Sequence, residues 1–339
     1  MEKKLRAAVI GLSMGERHVT GVLSNENAEL VAICDINPET LKRVGDQFNV
    51  PEEKRYTDWR DLLKLPCGLD VALVITPDQL HQEMSETFLA AGIHVMCEKP
   101  LALSREELEA IVKASDESSA KFMVGQICRF TSAFVKAKEL IDAGTIGEIY
   151  FVESEYAHDY LQYMFDWRKD PRRHGVVGGG CHAVDLLRWF VGDPYEVFAY
   201  GVHKLLPMVD YDDATIAVLK FPNDVIGKVF VSTGCKRDYT MRTCIYGTKG
   251  TIICDNTSDH MFLYTLQEGS ELVNETPEII PLDINHHNTI REFEVFAEHI
   301  LQDTPVVMDA RQGAKTVAAC MAIVESAKTG VPVAPNYNF

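Results

Sequence analysis

Short runs of apolar residues punctuate the first third of the chain: AAVI at 7–10, ELVAIC at 29–34, VALVIT at 71–76, IHVMC at 93–97 and KFMVG at 121–125. Unbroken apolar runs of this length, bounded by turn residues, suit strands buried on both faces. The stretches between them carry a helical period. In DQLHQEMSETFLAAG, Leu80, Met84 and Phe88 recur every fourth residue, and Gly92 supplies a stop signal. In SREELEAIVKAS, Ser104 and Glu107 form a capping box. Strand–helix alternation of this kind predicts a doubly wound parallel sheet.

After residue 125 the rhythm changes. A helix is predicted at about 131–142 and a strand in EIYFVESEYAH at 148–158. Residues 195–254 then read as successive strands (VFAYGVHKL, ATIAVLKF, GKVFVSTG, RTCIYG, GTIICD), with turns at Phe221-Pro222-Asn223-Asp224 and Gly247-Thr248-Lys249-Gly250. Strands joined this closely are expected to be antiparallel neighbours. Helices at about 287–302 and 309–329 close the chain, and no internal repeat is visible. The expectation is an α/β chain. A Rossmann domain with a doubly wound parallel sheet occupies 1–123, and an α+β domain with a large, open, mostly antiparallel sheet occupies 124–339.

Composition narrows the classes of function. A length of 339 residues suits two domains at about 150 residues each. The net charge of -17, with scattered lysines and arginines, argues against a nucleic-acid partner. The basic opening MEKKLR resembles the start of a signal peptide, but the apolar run after it soon stops. No later run reaches the ~18 residues needed to span a bilayer, so no membrane partner is expected. Nine cysteines, without a C-x-x-C pair and mostly inside apolar elements, suit buried thiols in a reducing cytoplasm.

Candidate chemistry gathers where the early strands end. In AAVIGLSMGERH a strand ends at Gly11 and a helix starts near Met14, where a dinucleotide fingerprint needs glycines for close approach to a pyrophosphate. Gly11 and Gly15 are present, Ser13 stands at the second glycine position, and Glu16 is an awkward neighbour for phosphate. A plain strand–helix turn is the alternative. Asp35 closes the second strand, where a carboxylate would bond a ribose 2′-hydroxyl and repel a 2′-phosphate, favouring NAD over NADP. It could equally cap the turn before Asn37-Pro38. Thr76 and Pro77 end the third run at the same sheet edge, or simply form a turn. His81 follows one helical turn on and could border the cofactor or be solvated. Glu98-Lys99-Pro100 ends the fourth run. A lysine there could hold a substrate hydroxyl and stabilise a developing alkoxide; a structural Glu98–Lys99 pair is the rival.

The segments GIHVMCEKPLALSREELEAIV and VITPDQLH closely resemble the glucose-fructose oxidoreductase / inositol dehydrogenase (Gfo/Idh/MocA) family. Further landmarks follow in family order: GQICRF, AGTIGEIYFVESEY, WRKD, GGGCHAVDLLRWFVGDP, IYGTKGTI and AIVESAKTGVPV. The resemblance implies an NAD(P)-dependent oxidoreductase acting on sugars, polyols or their derivatives, with Lys99 as the active-site lysine. Gly11, Gly15 and His18 fit the family's first motif, whereas Ser13 does not.

His182 opens the helix after three glycines, and Asp185 shares its face. An imidazole suits proton exchange with an alcohol, although a capping or core histidine is the more frequent case. The resemblance places His182 on the family's catalytic histidine. Many inositol-dehydrogenase-like members carry an aspartate four residues earlier, where this chain has Gly178. Asp185 could orient the ring instead, or the histidine could act without a carboxylate. Arg129, Tyr156, Arg168, Asp185 and, more loosely, His158 are candidate substrate contacts, with structural roles as alternatives. His286-His287 invites a metal reading, but adjacent histidines point different ways and no clustered acid completes a set, so no metal is expected.

The expected reaction is direct hydride transfer between a secondary alcohol carbon and the nicotinamide, His182 taking the proton and Lys99 stabilising the oxygen. Two rivals stay open: an NAD-retaining lyase or glycosidase using transient oxidation, and a redox-inactive NAD-binding regulator. The resemblance also implies a homodimer or homotetramer formed through the C-terminal sheet.

Overall fold

The computed structural model describes residues 4–284 and 287–339. Runs of apolar residues become parallel strands where helices cover both faces of a sheet. The chain opens with β1 (Leu5–Ile10), α1 (Leu12–Leu23), β2 (Ala28–Cys34), α2 (Pro38–Gln47), β3 (Arg55–Tyr56), β4 (Val71–Val74), α3 (His81–Ala90), β5 (His94–Glu98), α4 (Arg105–Glu117) and β6 (Phe122–Gly125). These strands form one parallel sheet in the order β3-β2-β1-β4-β5-β6. All four residues of β4 and of β6 are buried. The order reverses between β1 and β4, so the crevice outside their carboxyl ends is the natural ligand position. The capping box of Ser104 and Glu107 is formed at the start of α4.

The next elements are α5 (Ser132–Asp142), β7 (Ile149–Ala157), α6 (Cys181–Val191), β8 (Glu196–Val202), β9 (Ala214–Lys220), β10 (Ile226–Ser232), β11 (Arg242–Gly247), β12 (Gly250–Asp255), β13 (His260–Thr265) and β14 (Glu278–Pro281). They build a sheet in the order β14-β13-β12-β11-β7-β10-β9-β8. Its pairs are antiparallel except β7 with β10. One expectation is corrected here: β10 and β11 are not neighbours. The connection between Ser232 and Arg242 carries the chain past β7, which lies between them.

The last helices are α7 (Thr289–Leu301) and α8 (Ala310–Thr329). The chain divides into two units: Met1–Ile127 with Asn288–Ala314 and Phe339, and Cys128–His287 with Lys315–Asn338. The expected second domain of 124–339 therefore loses residues 288–314 to the first unit. Packing explains the difference. Phe293 and Phe296 of α7 are fully buried, each contributing ~1.5–3 kcal/mol. Gly21 of α1 lets the helices approach, since a Cβ there would lie 2.7 Å from the Thr289 carbonyl oxygen. The Thr289 hydroxyl donates to the Arg17 carbonyl at 3.0 Å.

Candidate active site

In the first unit, Gly11 turns the chain out of β1 with φ of 84°, a conformation that favours glycine. A Cβ at Gly11 would also collide with the Ile75 carbonyl just beyond β4. No side chain caps α1 at its N-cap position. The Leu12 N–H instead donates to Asp35 Oδ2 at 2.7 Å, and the Asn37 N–H to Oδ1 at 2.8 Å. Asp35 thus fulfils the turn-capping alternative while standing at the end of β2. Ser13 and Met14 are exposed in the first turn of α1, and Gly15 is buried against Val9 and Ile75. Glu16 is tied down by Arg43 and Gln47, each at 2.7 Å. Its hydrogen bonds from Arg43 and then Gln47 hold its carboxyl below the usual range, and the Arg43 guanidinium balances its charge.

A glycine that only bare backbone can occupy, at the start of a helix, and a carboxylate closing β2 fit a dinucleotide. Thr76 and Pro77, half-buried, follow β4 at the same edge.

His81 is fully buried. Its Nδ1 lies 2.9 Å from the Pro100 carbonyl oxygen and its Nε2 3.1 Å from that of Thr76. Two carbonyl acceptors require two N–H donors, so the ring is an imidazolium. Burial alone would lower its pKa, but Cys97, Asp78 and the Thr76 carbonyl raise it to about 10. The expectation of a solvated or cofactor-bordering histidine is corrected: His81 staples the turn after β4 to the turn after β5.

β5 delivers Glu98 and Lys99 to the sheet edge next to β4. Glu98 Oε1 lies 3.3 Å from His18 Nε2, and its Oε2 accepts the Lys99 N–H at 3.0 Å. Burial disfavours the Glu98 carboxylate, yet the His18 hydrogen bond and the Lys99 charge prevail and bring its pKa to about 2. Glu98 is therefore an ionised anchor of the lysine-bearing turn.

In the second unit, a π-helical turn at Val176–Gly180 leads directly into α6, and His182 lies buried in its first turn. The glycine run has a steric cause. At Gly179 a Cβ would meet Tyr156 Cε1 at 2.6 Å and the Tyr160 hydroxyl at 2.7 Å. At Gly178 it would run into the Arg173 guanidinium, which also donates to the Gly178 carbonyl at 3.4 Å. The space that an aspartate at 178 would fill is thus occupied by Arg173.

The His182 ring stacks on Tyr156, with centroids 6.0 Å apart and planes 24° apart, and lies 6.4 Å from the His287 ring. Tyr239 packs against Tyr156 at 5.4 Å and His287 at 5.8 Å. The Tyr156 hydroxyl lies 2.7 Å from that of Tyr160 and 3.3 Å from His158 Nδ1. Burial raises Tyr156 and Tyr239 well above ordinary phenols, so both remain neutral. This cluster can pass and accept protons through hydroxyl and imidazole groups.

Two substrate candidates prove to be partners of each other. Arg129 donates to Asp185 from Nε at 2.7 Å and from Nη2 at 2.8 Å, and the Thr316 hydroxyl donates to the same carboxylate at 2.9 Å. Both members of the pair are buried. Asp185 therefore bonds Arg129 and Thr316 in a structural bridge, in place of orienting His182, and Arg129 is committed to that bridge. The Arg168 guanidinium lies over Trp167 at 4.9 Å and Tyr160 at 5.4 Å, so it packs on the aromatic cluster.

Tyr160, Tyr239 and Arg173 had not been singled out. A signal existed for the first: Tyr156, His158 and Tyr160 alternate along the end of β7 and beyond, which puts three rings on one side. Arg173 lies only five residues before Gly178, in the turn that leads to the glycine run, whereas Tyr239 arrives from the connection between β10 and β11 and left no local trace. Among the described residues, no group of three or more His, Cys, Asp or Glu is placed to hold a metal ion. His286 lies outside the described residues.

The comparisons give the class of protein. Residues 5–126 match the oxidoreductase family with an NAD-binding Rossmann fold, and residues 134–253 match the GFO/IDH/MocA C-terminal domain. The chain belongs to the Gfo/Idh/MocA oxidoreductases. A myo-inositol 2-dehydrogenase of Thermotoga maritima is 28% identical over 276 residues, 78% of this chain and 79% of that enzyme. A levoglucosan dehydrogenase of Pseudarthrobacter phenanthrenivorans is 28% identical over 257 residues, 65% of this chain and 63% of that enzyme. A solved levoglucosan dehydrogenase in complex with NADH superposes with a TM-score of 0.90 at 25% identity, covering 98% of this chain and all of that one (100%).

Proposed function

We propose that the protein is an NAD-dependent dehydrogenase that oxidises a secondary alcohol of a sugar, a polyol or a sugar derivative. The observation that carries this reading is the placement of Lys99. It follows β5, the strand beside β4, and is anchored by Glu98 at the sheet edge where the Gly11 turn abuts Ile75. Inositol and levoglucosan, named for two relatives, are rings bearing several hydroxyls and support this substrate class.

Each residue has a task that its surroundings support. Lys99 binds the substrate oxygen and stabilises negative charge as it develops there. His182 takes the hydroxyl proton, and Tyr156 fixes the ring plane by stacking. Asp35, Gly11, Ser13, Met14, Gly15, Thr76 and Pro77 hold the dinucleotide. The Asp35 carboxylate accepts from a ribose and disfavours a 2′-phosphate, which makes NAD preferred over NADP. Bound NAD supplies the hydride acceptor.

The test is NADH formation across inositols, aldoses, aminosugars and glycosides, with NADP in parallel. One substrate class should respond with NAD, and Lys99→Ala should lower kcat by at least about 100-fold, as expected for losing an oxygen-stabilising donor. Equal rates with NADP would refute the cofactor preference. A Lys99→Ala enzyme as active as wild type would refute the role of the lysine.

A further inference from the structure

The face of α7 turned toward α1 carries one acidic residue among its apolar ones. Glu292 has no exposed surface, and neither of its carboxyl oxygens has a hydrogen-bond partner within the protein. Its Oε2 lies 3.9 Å from His18 Nδ1, which likewise has none. The other nitrogen of the same ring, Nε2, faces Glu98 Oε1 at 3.3 Å, and Glu98 Oε2 accepts the Lys99 N–H. Three elements therefore set four groups in a row: Glu292 from α7, His18 from α1, then Glu98 and the Lys99 main chain from the end of β5.

We propose that Glu292 is a positioning residue for Lys99: as a neutral carboxylic acid it donates toward His18 Nδ1, a contact that must close from 3.9 Å to hydrogen-bond length, and fixes the His18 tautomer whose Nε2–H holds Glu98. This rests on the dehydrogenase reading, in which the Lys99 turn borders the cofactor.

The chemistry allows one consistent order. A single imidazole sits between two carboxyl groups and cannot neutralise both. Glu98 is 18% exposed and has the Lys99 charge and main-chain N–H beside it, so it takes the negative charge. Glu292 has neither and keeps its proton, since an isolated buried carboxylate is prohibitively costly. Burial first, and then the charge of Glu98, push its pKa well above the carboxylate range. The titratable groups facing it are His18 from α1 and Glu98 from β5; β6 presents Gly125, which has no side chain to offer. With Glu292 donating to Nδ1, the ring must carry its hydrogen on Nε2 and donate to Glu98. Without that donor, the other tautomer of His18 becomes available, and the Lys99 turn loses its fixed anchor.

The experiment uses the full-length protein and three readouts. Infrared difference spectra at neutral pH should show the C=O stretch of a protonated, weakly bonded acid that vanishes in Glu292→Gln. Ring ¹⁵N shifts, with His18 assigned from His18→Gln, should report the Nε2–H tautomer in wild type. Glu292→Gln, whose amide can still donate, should keep that tautomer, and Glu292→Leu should lose it. NADH affinity measured against pH should stay at wild-type values in Glu292→Gln. In Glu292→Leu it should weaken by about tenfold, the equivalent of one hydrogen bond to a charged group, and acquire a new pH dependence. Absence of the acid band, or a Glu292→Leu protein with unchanged tautomer and NADH–pH profile, would overturn the proposal. If Glu292→Leu does not fold, the band and tautomer of Glu292→Gln decide it alone. Wild-type protein that binds no NADH, with band and tautomer as expected, would overturn the dehydrogenase reading and leave the hydrogen-bond order standing.

Discussion

At the scale of single residues, the candidate site separates into groups proposed to do chemistry and groups that hold those in place. Lys99, His182 and Asp35 were legible because each sits at a diagnostic position: a strand end, the start of a helix after glycines, the close of β2. Their supports were not, because bonding partners are chosen by the fold. Nothing in the spacing of Arg129 and Asp185 reveals that they form a buried two-pronged pair, and nothing in the sequence of His81 reveals two carbonyls waiting for it. The charge of His81 gives a pH prediction. Its pKa in the folded chain, about 10, lies above the ~6.5 of an unfolded histidine. Its contribution is therefore fully present below the unfolded value and is lost as pH rises through the folded one. In urea titrations His81→Leu should lose most stability at low pH, with about 1–3 kcal/mol for each carbonyl left unpaired, and the gap to wild type should narrow toward pH ~10. A gap independent of pH would mean a neutral ring.

At the scale of elements, periodicity recovered most strands and helices, since burial on one or two faces writes its period into the sequence. It failed where length or pairing mattered. β3 has two residues, too few for a period to show, and β14 is mostly exposed, so burial writes no pattern into it. The position of β7 between β10 and β11 depends on a long-range pairing that no local pattern encodes. The closeness of α7 to α1 is a testable case. Gly21 leaves 2.7 Å between a hypothetical Cβ and the Thr289 carbonyl oxygen, so Gly21→Leu should prise the helices apart. The expected loss is about 1–3 kcal/mol, the usual range for overpacking, read as a lower denaturation midpoint. An unchanged midpoint would show that α7 can shift without loss.

At the scale of the whole molecule, the larger sheet has one face with an unusual surface. Tyr200 is 66% exposed, and Val218 and Ile216 are 49% and 43% exposed, along adjoining strands. Contiguous apolar patches of this kind mark interaction surfaces, and we propose that a second copy of the chain covers this one as a homodimer or homotetramer. Light scattering should give a dimer or tetramer for wild type and a folded monomer for the double variant Ile216→Lys, Val218→Lys. A wild-type monomer at all concentrations would exclude the assembly. No helix among the described residues is long and apolar enough to cross a membrane.

The membership of residues 288–314 in the first unit has a consequence for the time at which that unit can form. A ribosome releases the strands of the parallel sheet early, yet α7, which covers α1 and carries Glu292, emerges only after the whole large sheet has been made. The nucleotide-binding half must wait, with one flank of α1 bare, until residues 288–314 have been made. A fragment ending at residue 127 is thus an unfinished intermediate of synthesis that leaves bare the apolar flank α7 covers, the kind of surface that invites aggregation.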